Sequence, residues 1–221
     1  MMTKCDQEPV KISGTVTPYA ASSLKRSLDI SISLITLLMA LPVLMISGLW
    51  IKMVSPGPVL FRQQRVGYLQ KPFSILKMRT MHLGVESDLG NVTIAHDPRF
   101  FRGANFLRAL KIDELPQVFN ILKGDMSLVG PRPTTEDDYR KMTPRQCQRS
   151  LTKPGLTGLA QISGNTSLNW HQRIVYDLQY LDKASLIFDI KILTLTAIMV
   201  VLRKIATHPP SHDEWGETFD D

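Results

Sequence analysis

The strongest hydrophobic feature of the chain is an uncharged run near its N-terminus. Residues 30–51 contain no Asp, Glu, Lys or Arg, and as a straight helix they would extend about 33 Å, which matches the hydrocarbon core of a bilayer. Pro42 lies near the middle of the run, where a proline removes a backbone hydrogen bond and bends a helix. The pattern predicts a membrane helix over 25–52 that is broken at Pro42.

The charges that flank this run indicate how the helix meets the membrane. Lys25 and Arg26 precede it, and Lys52, Arg62 and Arg65 follow it. Because Lys and Arg collect on the cytoplasmic side of membranes, both ends are expected there, so that the bent helix enters and leaves by the same face. A single-span anchor with a tolerated proline is the alternative, since prolines also occur in spanning helices.

A second apolar region lies near the C-terminus, over residues 186–204. Asp189 and Lys191 interrupt it, and the uncharged stretch that remains, 192–202, is too short to span a bilayer. With two basic residues at its end, the region fits an amphipathic helix that lies in the membrane interface. A buried core helix is the alternative.

Between these two regions the chain has the pattern of a soluble domain built from short elements. Residues 58–65 and 72–78 are typical of two strands in a hairpin, and residues 81–98 are predicted to be loop. Pro116 and Gly124 fit the start and the end of a short helix. Helices are predicted over four segments: 106–110, 116–123, 135–149 and 169–182.

The expected fold is therefore α+β and mostly helical. It comprises an N-terminal re-entrant membrane helix hairpin, a small β-hairpin, several short helices and C-terminal amphipathic interfacial helices. The chain divides into four parts: a leader over 1–24, the membrane helix over 25–52, a cytosolic or interfacial domain over 53–206 and an acidic tail over 207–221.

The charge of the chain favours an anionic partner. Its 221 residues have a formal net charge of +6, and because the last eleven residues hold five acids and no Lys or Arg, the rest carries +11. Such a chain favours nucleic acid, a phosphorylated metabolite or an anionic membrane face. The basic residues are not interleaved with the aromatic stripe that binds single-stranded nucleic acid. We therefore expect a small or lipid-borne phosphate and no nucleic acid.

Two adjacent acids, Asp113 and Glu114, stand just before Pro116 in this basic background. If Pro116 begins a helix, both lie near its positive end, where unpaired amides favour carboxylates and phosphates. A carboxylate there can attack phosphorus, and a divalent cation such as Mg²⁺ would be needed to bring it to a pyrophosphate. A plain helix-capping role is the alternative. The basic residues available for phosphate contacts are Lys77, Arg79, Arg99, Arg102, Arg108, Lys111 and Arg132.

Four segments resemble, in order and spacing, the motifs of the bacterial sugar transferases, which are monotopic phosphoglycosyl transferases that use polyprenyl phosphate. The resemblance runs from about Lys25 to Lys204 and is to the small form of these enzymes. It implies a re-entrant membrane helix before the catalytic domain, which the run with Pro42 indicates independently. The segments are 77–81 (KMRTM), 107–117 (LRALKIDELPQ), 120–133 (NILKGDMSLVGPRP) and 153–164 (KPGLTGLAQISG).

The resemblance implies transfer of a sugar 1-phosphate from a UDP-sugar to undecaprenyl phosphate, with release of UMP, as the first membrane step of exopolysaccharide or glycoconjugate synthesis. Asp113 would be the nucleophile that takes the phosphosugar covalently and would help to hold Mg²⁺. Glu114 would assist, as metal ligand, orienting group or proton acceptor. The implied substrate-binding residues are Lys77, Arg79, Arg108, Pro131, Arg132 and Pro133.

The same resemblance implies a location in the bacterial inner membrane, with the active site facing the cytoplasm, and leaves a homodimer open. The sequence departs from the family pattern at Met78, where an aromatic residue is usual, and at Asn165, where arginine often follows the glycine. The lost guanidinium puts one phosphate or sugar contact in doubt, although Arg173 is a candidate substitute. A catalytically weakened, membrane-associated binding or scaffold relative of the same fold is therefore the alternative function.

Overall fold

The computed structural model describes residues 16–84, 97–164 and 167–202. The acidic tail, most of the leader and most of the predicted loop over 81–98 lie outside these ranges. The described part confirms a mixed fold that is mostly helical. In chain order its elements are α1 (Ser23–Val54), β1 (Leu60–Val66), β2 (Pro72–Met78), α2 (Ala104–Ala109), α3 (Gln117–Lys123), β3 (Ser127–Val129), α4 (Glu136–Arg140), α5 (Pro144–Cys147), β4 (Gly155–Thr157), α6 (Leu159–Ser163), α7 (Trp170–Lys183) and α8 (Leu186–Val201). Short 3₁₀ turns lie at Pro18–Ala21, Tyr68–Gln70, Ile112–Glu114 and Gln148–Leu151.

Helix α1 is continuous from Ser23 to Val54 with Pro42 inside it, so the predicted membrane helix is present but Pro42 does not divide it into two separate helices. The Ser22 side chain caps its N-terminus by accepting a hydrogen bond from the Lys25 backbone N–H. Within the described ranges, α1 is the one helix that is long and apolar enough to cross a membrane, judged by length and composition. Most of its apolar side chains between Leu34 and Leu49 are exposed. The other described residues therefore leave most of the middle of α1 uncovered.

Both ends of α1 contact the same domain. Near the first end, the Arg26 guanidinium donates hydrogen bonds of 2.6 and 2.8 Å to the backbone carbonyls of Ile121 and Leu122 at the end of α3. Near the second end, the Trp50 indole N–H donates to the backbone carbonyl of Arg102 at 3.1 Å. The helix is thus held at both ends while its apolar middle stays exposed.

The predicted hairpin is confirmed. Strands β1 and β2 pair in antiparallel fashion, from Leu60 opposite Met78 to Val66 opposite Pro72. The first strand begins two residues later than the sequence pattern predicts, and a 3₁₀ turn connects the two strands. Because directly paired residues lie on the same face of an antiparallel sheet, this register decides which side chains of the hairpin face the domain.

The main core forms where the hairpin meets α3, α7 and α8. Phe73 and Ile75 of β2 pack with Ile121 of α3 and Tyr180 of α7, and all four are buried. Burial of each large apolar side chain contributes roughly 1.5–3 kcal/mol. The core therefore fixes the hairpin against α3, the helix that begins just after the acid pair.

Strands β3 and β4 pair in parallel, with Ser127 opposite Gly155 and Val129 opposite Thr157. A Cβ atom at Gly155 would lie 2.2 Å from the Gly130 nitrogen, so the two segments approach too closely for any side chain there. The sequence pattern did not predict this pairing. It places the loop that follows β3 beside the segment that begins β4.

Three of the predicted helices are confirmed as α2, α3 and α7. Pro116 is the N-cap of α3, and Gly124 follows its end in a left-handed conformation with φ of 99°, which glycine adopts without strain. Helix α7 begins after a capping box formed by Asn169 and Gln172. These local signals set the helix boundaries to within two residues.

The prediction of a single polar helix over 135–149 is wrong. The segment forms two short helices, α4 and α5, and then a 3₁₀ turn. Thr143 and Gln146 form a capping box at the start of α5, and Pro144 is its first residue. A residue before proline is pushed away from helical backbone angles, so a helix cannot continue through Thr143.

Helix α8 corresponds to the second apolar region and packs on the domain with one side only. Asp189 and Ile192 are buried, whereas Ile187, Ile198 and Val201 are exposed. A helix buried on all sides, which was the alternative from the sequence, does not fit these exposures. The exposed side is apolar, as expected of a helix that lies against lipid.

Candidate active site

Asp113 and Glu114 lie in the 3₁₀ turn between α2 and α3, and both are buried, with exposures of 7% and 9%. The first residue of α3 is Gln117, and the backbone N–H groups of Val118 and Phe119 already donate to carbonyls just before the helix. The acids are therefore positioned by a separate turn, and not by unpaired amides of a helix that begins at Pro116 as the sequence predicted.

Glu114 forms ion pairs with two basic residues from distant parts of the chain. Its Oε1 accepts hydrogen bonds from Lys77 Nζ at 3.2 Å and from Arg132 Nη2 at 3.0 Å. Burial alone would raise the pKa of Glu114, but the charges of Arg132, Lys77 and Lys111 outweigh burial and hold this pKa well below its usual range. Glu114 is thus an ionised group that holds β2 and the loop after β3 together.

Asp113 lies in a different environment from its neighbour. Its Oδ1 is buried and has no hydrogen-bond partner among the described residues. Burial, followed by the charge of Glu114, raises the pKa of Asp113, while Lys77, Arg108 and Lys111 oppose this rise. A buried polar atom without a partner is costly and calls for an explanation. A ligand that uses this oxygen would provide one.

The loop that carries Arg132 is fixed through its backbone. The Gly155 N–H donates to the Pro131 carbonyl at 2.8 Å, and Arg149 Nη2 donates to the Arg132 carbonyl at 2.7 Å. Arg149 is itself held by Asp177, whose Oδ2 accepts from the Arg149 Nε at 3.0 Å and from its Nη2 at 2.5 Å. Helix α7 therefore supports the site through Asp177 and Arg149.

A small cleft with a cavity volume of about 10 Å³ lies beside Arg132, and its lining includes Gly67, Tyr139, Arg149 and Thr152. The hydroxyl of Thr152 is buried and has no hydrogen-bond partner within the described ranges. Because Arg132 both lines this cleft and reaches Glu114, the cleft adjoins the acid pair. Its volume is close to that of a single water molecule, so the cleft is a polar niche next to the acid pair.

The residues present are compatible with Mg²⁺. Within the described part of the chain, no group of three or more His, Cys, Asp or Glu side chains could hold a metal ion. Mg²⁺ in phosphate-transferring sites commonly uses one or two carboxylates, and the phosphates of the substrate and water supply the remaining ligands. The buried, unpartnered Oδ1 of Asp113 suits a site of that kind.

Comparison with known proteins now places this geometry in a family. The family model for bacterial sugar transferases matches residues 20–203. The chain belongs to the bacterial sugar transferase family. The resemblance seen in the sequence motifs is therefore confirmed.

Several relatives of this bacterial sugar transferase are known. It is 40% identical over 191 residues to the UDP-glucose:undecaprenyl-phosphate glucose-1-phosphate transferase of Escherichia coli K12, covering 83% of this chain and 41% of that protein. The Caulobacter vibrioides protein of the same name is 45% identical over 194 residues, covering 83% of this chain and 72% of the relative. The undecaprenyl-phosphate galactose phosphotransferase of Salmonella typhimurium is 36% identical over 211 residues, covering 88% of this chain and 44% of the relative. The chain thus spans less than half the length of two of these relatives.

Three of the predicted substrate-binding residues of this sugar transferase lie at the acid pair. Lys77 and Arg132 bond Glu114 directly. Arg108 is close enough for its charge to lower the pKa of Asp113, and its guanidinium lies 4.9 Å from the centre of the Phe100 ring. Cations from β2, α2 and the loop after β3 therefore converge on the two carboxylates.

Arg79, which was also predicted to bind substrate, lies elsewhere. Its side chain is buried, and its two terminal nitrogens donate to the backbone carbonyls of Pro56 and Ser55 at 2.7 and 2.6 Å. These carbonyls directly follow α1. The structure therefore gives Arg79 a role in fixing the exit of the apolar helix, because its guanidinium is bonded there and not at the acid pair.

The other residues predicted from the sequence contact the protein itself or lie outside the described ranges. The Pro131 and Pro133 carbonyls accept hydrogen bonds from Gly155 and Arg65, respectively, so both prolines help to fix the Arg132 loop. The guanidinium of Arg173 lies 5.3 Å from the centre of the Trp170 ring. Asn165, where the family often has arginine, lies outside the described residues.

Sequence reasoning did not identify Arg65 and Arg149 as site residues. Arg65 alternates with Gln63 on β1, a spacing that puts both on one face of a strand, but the pattern does not show which face meets the domain. Arg149 reaches Arg132 through a backbone carbonyl, a contact that leaves no trace in the local sequence.

Proposed function

We propose that this sugar transferase moves a sugar 1-phosphate from a UDP-sugar to undecaprenyl phosphate and releases UMP, as the first membrane step of exopolysaccharide or glycoconjugate synthesis. The observation that carries the proposal is the buried, unpartnered Oδ1 of Asp113 beside Glu114, which Lys77 and Arg132 hold in its ionised state. The names of the relatives, which specify undecaprenyl phosphate as acceptor and glucose or galactose as sugar, support the substrate class.

In the first step, a carboxylate oxygen of Asp113 attacks the phosphorus that bears the sugar. The bond between this phosphorus and the bridging oxygen of the diphosphate breaks, and UMP leaves with the electron pair. The phosphosugar stays on Asp113 as an acyl phosphate. Lys77 and Arg132 would stabilise the negative charge that develops on the leaving phosphate. When bound by Asp113 and the substrate phosphates, Mg²⁺ would reduce the repulsion between the carboxylate and the diphosphate.

In the second step, a phosphate oxygen of undecaprenyl phosphate attacks the same phosphorus. The bond from phosphorus to the Asp113 oxygen breaks, which regenerates the carboxylate and yields the undecaprenyl diphosphate sugar. In their ionised forms both attacking groups are nucleophiles, so neither step requires a base to remove a proton from a hydroxyl group. This favours an orienting role for Glu114, which keeps Lys77 and Arg132 in place.

The proposed membrane arrangement is re-entrant: α1 enters the inner membrane from the cytoplasm, bends near Pro42 and returns to the same face. Its support is that both ends of α1 bond one domain, through Arg26 and Trp50, while the apolar middle is exposed. Labelling of single cysteines at Ser23 and Lys52, with both native cysteines replaced by alanine, tests it. Both sites should react from the cytoplasmic side, and labelling from opposite sides would establish a spanning helix.

The proposed chemistry is tested by incubating the purified protein with UDP-glucose or UDP-galactose and Mg²⁺ in the absence of acceptor. The expected result is a mass increase of one phosphosugar on Asp113, with one equivalent of UMP released. Asp113→Asn, checked for a normal fold by circular dichroism, is the matched control. A folded wild-type protein that turns over in the full reaction but never carries the adduct would contradict the covalent step.

The second candidate function is that of a catalytically weakened membrane scaffold of the same fold. It is suggested by Asn165, which stands where arginine is usual. UMP release by the wild-type protein would exclude it. Normal cellular function of an Asp113→Asn variant would favour it, because a scaffold has no need of the nucleophile.

A further inference from the structure

Arg65 lies on the face of the hairpin that also carries the active-site lysine. It is opposite Phe73, and Phe61 is opposite Lys77, so the alternation of side chains along a strand places Arg65 and Lys77 on one face. Phe73 on this face is buried in the main core, which shows that the face is turned toward the domain. Arg62, on the opposite face of the same strand, is exposed.

The guanidinium of Arg65 is held in place but retains unused donors. Its Nη2 donates to Gln63 Oε1 at 2.5 Å, and its Nη1 reaches the Pro133 carbonyl at 3.4 Å. Its Nε is buried and has no hydrogen-bond partner in the described part of the chain. Because a guanidinium has five N–H donors, Arg65 can still bind a further acceptor.

A second guanidinium, that of Arg132, lies near Arg65. Burial, followed by the charge of Arg132, lowers the pKa of Arg65 to about 10, and the carboxylates of Asp138 and Glu114 oppose this only in part. Glu114 is already paired with Lys77 and Arg132. The two guanidiniums therefore leave a local excess of positive charge, which a bound anion would relieve.

We propose that Arg65 acts with Arg132 to bind the diphosphate of the nucleotide-sugar substrate, an inference that rests on the proposed function. Arg65 donates from Nε and a terminal nitrogen to the oxygens of one phosphate, in the planar two-bond geometry that guanidinium groups favour. It adds a cation from β1 to those of β2 and of the loop after β3, so that the diphosphate is held beside Asp113.

The first test measures binding of UDP, which has the diphosphate but no sugar to transfer, to the purified full-length protein with Mg²⁺. Arg65→Ala should weaken UDP binding by about 10- to 100-fold, the loss typical of hydrogen bonds to a charged group. Arg65→Lys keeps the positive charge but cannot form two parallel hydrogen bonds to one phosphate. Its affinity for UDP should lie between those of the wild type and Arg65→Ala. Arg62→Ala, on the exposed face of the same strand, is the matched control and should bind UDP like the wild type.

Steady-state kinetics separates substrate binding from a merely structural role. Arg65→Lys should raise KM for the UDP-sugar by about tenfold while leaving KM for undecaprenyl phosphate unchanged. If Arg65 only supported the Pro133 loop, its variants would lower the melting temperature and kcat, and the folded fraction would keep its affinity for UDP. That outcome would overturn the inference.

The role of Arg65 and the proposed transferase function can be contradicted separately. Wild-type protein that binds UDP and releases UMP, together with an Arg65→Ala variant that binds UDP as tightly as Arg62→Ala, would overturn the role of Arg65 alone. Wild-type protein that neither binds UDP nor releases UMP would overturn the proposed function, and with it the ligand of Arg65. If Arg65→Ala does not fold, Arg65→Lys decides the question by the same UDP measurement.

Discussion

The ammonium group of Lys25 lies 2.6 Å from the carboxylate of Asp189, and both side chains are buried, so an internal ion pair joins α1 to α8. Asp189 also accepts a hydrogen bond from the Tyr180 hydroxyl at 2.8 Å, and Lys25 donates to the Val129 carbonyl at 3.2 Å. Val129 ends β3, just before the loop that carries Arg132. The two apolar helices and the loop that carries Arg132 are therefore fixed at one point.

Removal of one partner from this ion pair should be strongly destabilising. Lys25→Ala leaves the Asp189 charge buried without an opposite charge, and we expect a loss of about 3–5 kcal/mol in the free energy of unfolding. The measurement is denaturant unfolding in detergent micelles. Lys52→Ala, at the exposed far end of α1, is the control and should change stability little.

A double variant shows whether the two charges act on each other. The double variant Lys25→Met with Asp189→Leu removes both charges. Its loss of stability should be smaller than the sum of the losses of Lys25→Met alone and Asp189→Leu alone. Losses that simply add would show that the contact between Lys25 and Asp189 contributes no coupling, and that α1 and α8 are held by their other contacts.

Removal of divalent cations should abolish activity without unfolding the protein. EDTA is expected to reduce UMP release by about 100-fold or more, because a metal supplies several kcal/mol of charge stabilisation at a transferring phosphate. Added Mg²⁺ should restore the rate. In the absence of substrate the melting temperature should stay unchanged, since no group of three ligating side chains is present in the described ranges. A large fall in melting temperature would instead reveal a structural metal.

The elements that sequence reasoning placed correctly have strong local signals. Pro116 and Gly124 mark the ends of α3, and the pattern of the hairpin strands identified β1 and β2. The pairing of Ser127 with Gly155 has no such signal, because each strand has three residues and its partner is distant in sequence. The break at Thr143 did have a signal, the following proline, which the periodic pattern of polar residues obscured.

The active site was predictable to the extent that its residues lie in recognisable motifs. Asp113, Glu114 and Arg132 were first indicated by their place in the chain and their charges, the resemblance assigned them roles, and the structure brings Glu114 and Arg132 into contact. Arg79 was grouped with Lys77 because both belong to one motif. Arg79 directly follows strand β2, which ends at Met78 as predicted, and the motif alone did not show that its guanidinium bonds the carbonyls beyond α1.

Glu114→Gln should impair catalysis by removing the charge that holds two cations in place. We expect kcat/KM to fall by about 100- to 1,000-fold, as when a stabilising group of a reacting phosphate is lost. The assay is UMP release measured over UDP-sugar concentrations below and above KM. Glu136→Gln, which removes an exposed carboxylate on α4, is the control and should leave the rate unchanged.

The pH profile of Glu114→Gln provides a second measurement. Burial lowers the pKa of Lys77, and the charge of Glu114 is the largest effect that opposes this. Without Glu114 the Lys77 pKa falls further, so Lys77 loses its proton at a lower pH. The alkaline limb of the activity profile should therefore move to lower pH in the variant, and an unchanged limb would contradict the pairing of Lys77 with Glu114.

Asp113→Asn should abolish the adduct and UMP release and yet stabilise the fold. Burial and the neighbouring charge of Glu114 raise the pKa of Asp113, so its ionised form is less favourable in the folded than in the unfolded protein. An amide removes that cost, and we expect a gain on the order of 1 kcal/mol at neutral pH, the stability that an active site gives up for function. Urea unfolding in the presence of a chelator and without substrate measures it.

The pH dependence of this gain tests its cause. A carboxyl group with a raised pKa binds more protons in the folded state, so the stability of the wild type falls as pH rises from about 4, the ordinary pKa of aspartate, through the raised pKa. Asp113→Asn lacks this titration, so its advantage should be small near pH 4, grow through that window and then stay constant. Asp137→Asn, at an exposed position on α4, should show no such growth. A variant that is less stable than the wild type at neutral pH would mean that the Asp113 charge is already satisfied inside the folded protein.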